Sequence, residues 1–153
     1  MMKYLLASLA IAIGLMVAAP QPQSRSAELA KVKVWKNPQC GCCSKWVAHL
    51  KAAGFTVEVN ETRNMDAVKK LANIPKRLRS CHTAVIGGYR IEGHVAMADI
   101  KRLLTERPKI LGLAVPAMPI GSAGMEVPSG ARDAYNVEAF KADGSSRVFS
   151  RHN

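Results

Sequence analysis

Aromatic residues are scarce in this 153-residue chain: two Trp, three Tyr and three Phe, not interleaved with the basic residues. That counts against a nucleic-acid surface, which stacks bases on aromatics set among Lys and Arg, although the formal charge is +11. Acidic side chains are half as many as basic ones, 11 against 22. The densest basic stretch, Lys69, Lys70, Lys76, Arg77 and Arg79, reads as a solvated face. Offsetting nearby thiolates or meeting anionic lipid would be second uses for it. Long apolar runs are missing after residue 19, so no later stretch could span a bilayer. There is no internal repeat either, which excludes a solenoid.

The one apolar run, Tyr4 to Ala19, follows the basic start Met1-Met2-Lys3 and precedes a polar exit, Pro20 to Ser26, with small residues. It is shorter than the ~20 residues that span a membrane, so residues 1–26 read as a secretory signal peptide. The expectation is export, with no stable membrane insertion after cleavage. What remains, residues 27–153, is one domain of about 125 residues, large enough to bury a core without disulfide staples. Without Lys3 and Arg25 the formal charge is +9.

Three of the four cysteines lie within four residues, Cys40-Gly41-Cys42-Cys43. A bridge among them closes a tiny loop and contributes little loop entropy, so their role is chemical. A β-branched run precedes them (Val32, Val34), and Cys43, Trp46, Val47 and Leu50 follow at helical spacing. The motif is thus a strand-to-helix turn shaped by Pro38 and Gly41. Unpaired N–H groups at a helix start favour thiolate, so these sulfurs should be reactive or metal-ligating.

Along the chain the pattern predicts a strand at Val32–Trp35 and a helix over Cys43–Ala53 capped by Gly54. A second strand is expected at Phe55–Val59, then a helix capped by Asn64 with Val68, Leu71 and Ala72 inward and Pro75 beyond it. Thr83–Ile86 and Tyr89–Glu92 form strands around a Gly87-Gly88 turn, and Gly93-His94 opens a third helix that stops before Pro108. Residues 112–126, rich in Gly and Pro, are expected to be an irregular loop, and residues 135–141 and 147–150 a terminal hairpin. The fold class is α/β, one mixed sheet with flanking helices, plus that loop and the C-terminal β-hairpin.

A Cys motif between the first strand and first helix resembles the thioredoxin superfamily. That likeness implies that the loop entering the third strand, Cys81-His82-Thr83, lies beside Cys40, Cys42 and Cys43. Thioredoxins carry a cis-proline there, and this chain has none.

Four thiols plus the thioethers Met118 and Met125 form a soft donor set that selects Cu(I), and imidazole suits copper too. Three thiolates so close can bridge neighbouring ions, so a multinuclear copper site is expected. His94, at a helix opening, is a candidate ligand. Alternation along an extended strand would send Cys81 and His82 opposite ways, and Cys81 is preferred. Met97 reads as core, and His49, roughly 10 Å along the helix from Cys42, as surface. His152 is expected to be disordered.

Cys40-Gly41-Cys42-Cys43, Cys81-His82-Thr83, Glu92-Gly93-His94-Val95, Gly112-Leu113-Ala114-Val115-Pro116, Met118-Pro119, Gly121-Ser122 and Gly124-Met125-Glu126 together resemble the periplasmic copper-resistance CopG family, a thioredoxin-like metal-binding domain of unknown function. The resemblance implies a cysteine-bridged copper cluster, interconversion of Cu(I) and Cu(II), and a periplasmic copper-handling or redox partner protein. Its ligand set here would be Cys40, Cys42, Cys43, Cys81, His94, Met118 and Met125. Ala96 stands where proline is usual and Ala117 where glycine is usual, which touches loop shape but no donor atom. The other readings are a thiol–disulfide oxidoreductase using Cys40 and Cys43, a copper chaperone, and a zinc site. The last lacks the second Cys pair that such sites usually have.

Overall fold

The computed structural model describes residues 31–153, so the expected signal peptide, residues 1–26, and the start of the domain at residue 27 lie outside the described residues. Seven strands form one mixed sheet in the order β2-β1-β3-β4-β5-β6-β7. The strands are β1 (Val32–Lys36), β2 (Val57–Glu61), β3 (Thr83–Ile86), β4 (Tyr89–Glu92), β5 (Gly112–Ala114), β6 (Tyr135–Phe140) and β7 (Ser146–His152). The helices are α1 (Gly41–Ala52), α2 (Met65–Leu71) and α3 (Met97–Glu106), with a single 3-10 turn at Lys76–Leu78. Pairing is parallel for β1/β2 and β4/β5 and antiparallel elsewhere. This is the α/β fold with one mixed sheet that the sequence pattern implies. No helix among the described residues is long and apolar enough to cross a membrane.

Register sorts the side chains into two layers. Val34 pairs with Ala84, Ala84 with Ile91, Ile91 with Leu113 and Leu113 with Ala139, all buried on one face with Trp46 and Leu50 of α1 and Ile100 and Leu103 of α3. The opposite face carries Thr83, Glu92 and Ala114 in register, and there Ala114 and Phe140 pack with Ile74 and Leu78. Each helix end follows from local chemistry. Cys40 caps α1 with its own sulfur, which accepts the Cys43 N–H at 3.3 Å. At the far end Phe55 N–H reaches Leu50 O and Gly54 N–H reaches Lys51 O around a left-handed Gly54, closing the last carbonyls.

Six expectations are corrected. The second strand runs two residues later than the alternation placed it, because β1 pairs Val32 with Val57. Of the residues expected inward on α2, Ala72 packs against the cluster of Ile74, Leu78, Ala114 and Phe140, but Leu71 is 84% exposed, and Lys69 points in at 5% exposure because a buried carboxylate, Glu92, waits across the gap. That also removes Lys69 from the solvated basic face. Gly112–Ala114 is not loop but strand, since Gly112 lets the chain close on Arg90, whose carbonyl oxygen a Cβ would meet at 1.9 Å. His94 precedes α3 rather than opening it, with Ala96 as the capping residue. His152 is ordered in β7, stacked on Tyr135 and paired with Asp99 Oδ2 at 2.7 Å.

Candidate metal centre

The turn between β1 and α1 and the turn into β3 converge at one end of the sheet. Sulfur atoms of Cys40, Cys42, Cys43 and Cys81 all lie within 4.8 Å of one another, and Cys81 also belongs to a second group with His82 and His94 at the same spacing. Cys81 is therefore the hinge of two donor sets. Its Sγ lies 3.2 Å from His82 Nδ1 and 3.1 Å from His94 Nε2. Cys40 and Cys43 are joined as a disulfide, and Cys42 Sγ stands 3.5 Å from Cys40 Sγ. Cys42 and Cys81 are free thiols.

His82 reaches the site as well as Cys81, against the alternation argument. The β3 ladder starts at Thr83, so Cys81-His82 is not extended strand and its side chains need not oppose each other. His82 is fully buried, lies against Trp46 with ring centroids 4.3 Å apart, and its Nε2 has no hydrogen-bond partner. Trp46 is itself fixed by donating Nε1–H to Val95 O at 2.9 Å. The sequence signal for His82 was its place beside Cys81, and strand periodicity concealed it.

Protonation follows from burial and partners. His94 Nδ1–H donates to Ala123 O at 2.8 Å, which assigns the proton to Nδ1 and turns the Nε2 lone pair toward Cys81. Burial holds His94 below the usual imidazole range, and burial with the charges of His94 and Lys69 holds His82 well below it. Both rings are neutral at pH 7, the state in which imidazole ligates. Burial, then the neighbouring Cys42 charge, pushes the Cys81 thiol up to about 12. It is a thiol here, and a cation beside it would oppose both causes of that shift. The donors are sulfurs and neutral imidazoles, with no carboxylate in either group, and such a set suits a soft cation.

The Gly/Pro-rich loop approaches the same place. Gly124 rests on the first turns of α1, with Cys42 O and Trp46 N each 2.8 Å from where a Cβ would stand. This seats partly buried Met125 beside α1. Glu126 accepts from Gly124 N–H at 2.9 Å and pairs with His49 Nε2 at 2.8 Å, so His49 is a surface residue that latches the loop. Met118 is 49% exposed, and its neighbour Ala117 accepts a hydrogen bond from Ser80 Oγ. Ala117 has φ +59°, the left-handed region that favours glycine, and Ala96 has φ −66°, a value proline adopts. Both departures from the family pattern keep the backbone that the usual residue would favour.

A family model described as "Protein of unknown function, DUF411" matches residues 78–125, the span that holds Cys81, His82, His94, Met118 and Met125. No curated protein matches. Two solved structures do. "Copper resistance protein copG- Form 1" is 42% identical with a TM-score of 0.76, over 82% of this chain and 98% of that one. "Copper resistance protein copG- Form 2" is 41% identical with a TM-score of 0.78, over 82% of this chain and 100% of that one. On identity at that level across nearly the whole of both relatives, the chain belongs to the copper resistance protein CopG family.

Proposed function

We propose that this chain is an exported, periplasmic copper-binding protein of copper resistance. It would hold copper through Cys40, Cys42, Cys43 and Cys81, with His94, Met118 and Met125 completing the donor set and His82 added to it. The observation that carries the reading is the position of Cys81 Sγ, shared between a group of four sulfurs and a pair of neutral imidazoles. Thiolates favour Cu(I), while nitrogen donors also serve Cu(II), so one pocket offers both valences a suitable shell. More than one copper per chain and interconversion of Cu(I) and Cu(II) follow as parts of the proposal. The electron for each ion would pass to or from a periplasmic redox partner protein.

The chain's own residues prepare the pocket. Ala123 O fixes the His94 tautomer, Trp46 and the main core shield His82 from water, and the Cys43 N–H in the first turn of α1 donates to Cys40 Sγ. The binding form is the dithiol, reached when a dithiol reductant gives the Cys40–Cys43 bridge two electrons and two protons and is itself oxidised to a disulfide. Copper analysis of reduced protein, with absorption spectra in both redox states, tests the reading. The expected result is more than one copper per chain, lowered by Cys42→Ser and by Cys81→Ser; a reduced protein that takes up no copper ends it.

The Cys40–Cys43 bridge supports a second reading, a thiol–disulfide oxidoreductase, with Cys40 and Cys43 alternating between thiol and disulfide. Insulin reduction that needs Cys40 and Cys43 but not His94 or Met118 would favour it. A copper chaperone uses the same donors, and copper transfer to a partner without change of valence would identify it.

A further inference from the structure

Behind the sulfurs, on the α2 face of the sheet, is a buried polar group that the copper reading does not use. Glu92 is fully buried and Lys69 is 5% exposed. Glu92 Oε1 accepts from Lys69 Nζ at 2.6 Å and from the Ser80 backbone N–H at 2.7 Å. Its other oxygen accepts from Thr83 Oγ1 at 2.6 Å, and Lys69 Nζ also donates to Thr83 Oγ1 at 3.0 Å.

Stability alone does not account for such a pair, because apolar residues of similar volume are often at least as stable in its place. What it does is geometric. Ser80 and Thr83 bracket Cys81-His82, and Glu92 stands two residues before His94, so one carboxylate ties together the chain on both sides of Cys81. Gly93 closes the arrangement: its N–H donates to His82 O at 3.0 Å, and a Cβ there would meet the Ser80 side chain and Val115 O at 2.6 Å.

We infer that Glu92, held in place by Lys69, is a positioning residue that anchors the Ser80 N–H and so keeps the Cys81 sulfur at the meeting point of the two donor groups. The positional claim stands on the hydrogen bonds; its consequence for metal binding rests on the copper reading above.

Two double variants separate the anchor from the charges. Lys69→Met with Glu92→Gln removes both charges and leaves a carbonyl oxygen for the Ser80 N–H. Lys69→Met with Glu92→Leu removes the acceptor as well. In reduced, metal-free protein, alkylation of Cys81 by iodoacetamide is followed on the tryptic peptide Ser80–Arg90, which contains no other cysteine. The glutamine variant should label within about twofold of the unaltered chain, and the leucine variant about tenfold faster, as loss of a hydrogen bond to a buried partner loosens the turn. Copper(I) affinity should fall about tenfold in the leucine variant only.

Equal labelling in the two variants overturns the inference, since a role confined to burying charge would treat them alike. A split in labelling with no split in copper affinity supports the anchor and removes Cys81 from the copper set, so the two ideas fail separately. If the leucine variant does not fold, hydrogen exchange of the Ser80 amide in the unaltered chain decides. Slowing by about a hundredfold or more supports the anchor, and exchange at the free-peptide rate overturns it.

Discussion

Gly124→Ala is expected to cost more stability than Gly130→Ala, and the difference measures how firmly the loop carrying Met125 sits on α1. Both glycines are left-handed, with φ +86° and +71°, so either alanine carries a backbone penalty of about 1–2 kcal/mol. At Gly130 nothing lies within 4 Å of the added Cβ, and that penalty is the whole effect. At Gly124 the new atom would stand 2.8 Å from Cys42 O, 2.8 Å from Trp46 N and 3.2 Å from Trp46 Cα. Those are backbone atoms of a helix and cannot swing aside, so the loop must lift, at an overpacking cost of about 1–3 kcal/mol more.

The total for Gly124→Ala, about 2–5 kcal/mol, stays below the upper part of the usual 5–15 kcal/mol range for a domain. Urea unfolding of the reduced, metal-free protein reads the difference between the two variants. The loop's displacement should also break the His49–Glu126 pair and the hydrogen bond from His94 to Ala123 O, and, on the proposed function, weaken copper binding. Equal losses of stability in the two alanine variants would refute the seating of this loop on α1.

Ala117→Gly should raise stability by about 0.5–1 kcal/mol in the same urea assay, by relieving the left-handed φ of Ala117. Leu71→Lys should leave stability within about 0.5 kcal/mol, because that side chain is 84% exposed and not part of the core; a loss of several kcal/mol in denaturation would restore the helix face that periodicity picked. Metal-free protein should lose stability as pH falls below about 6.5. His82 and His94 titrate below the imidazole range when folded, so under that pH the unfolded chain binds more protons and each ring contributes a slope of at most about 1.4 kcal/mol per pH unit. Glu92, raised by burial, works in the opposite sense and offsets part of it. Urea midpoints at pH 7 and pH 5.5 check the sign, and His82→Gln should flatten the slope.

What was legible in the sequence was what short-range chemistry decides. The ends of β3 and β4 fall where Gly87-Gly88 punctuates them, the Asn64 side chain caps α2 by accepting from Ala67 N–H, and Pro108 follows the end of α3. The convergence of Cys81 on the Cys40-Gly41-Cys42-Cys43 turn was legible too, through the thioredoxin likeness that the Cys motif between the first strand and first helix carries. Three features were not, and each depends on a partner far along the chain. Lys69 is inward because of Glu92, 23 residues on. Gly112–Ala114 is a strand because β4 and β6 flank it. His152 is ordered because Asp99 and Tyr135 receive it.

His82 shows the same dependence at the scale of one residue. Alternation holds only inside a hydrogen-bonded ladder, and this ladder starts at Thr83 because Thr83 pairs with Trp35 and Glu92. One residue earlier, the ladder would have fixed Cys81 and His82 on opposite faces, and Cys81 could not have faced both imidazoles. The position of that ladder's first rung is a property of β1 and β4 rather than of the Cys81-His82 sequence. The buried carboxylate of Glu92, gripping Ser80 on one side and Thr83 on the other, is what holds the rung there.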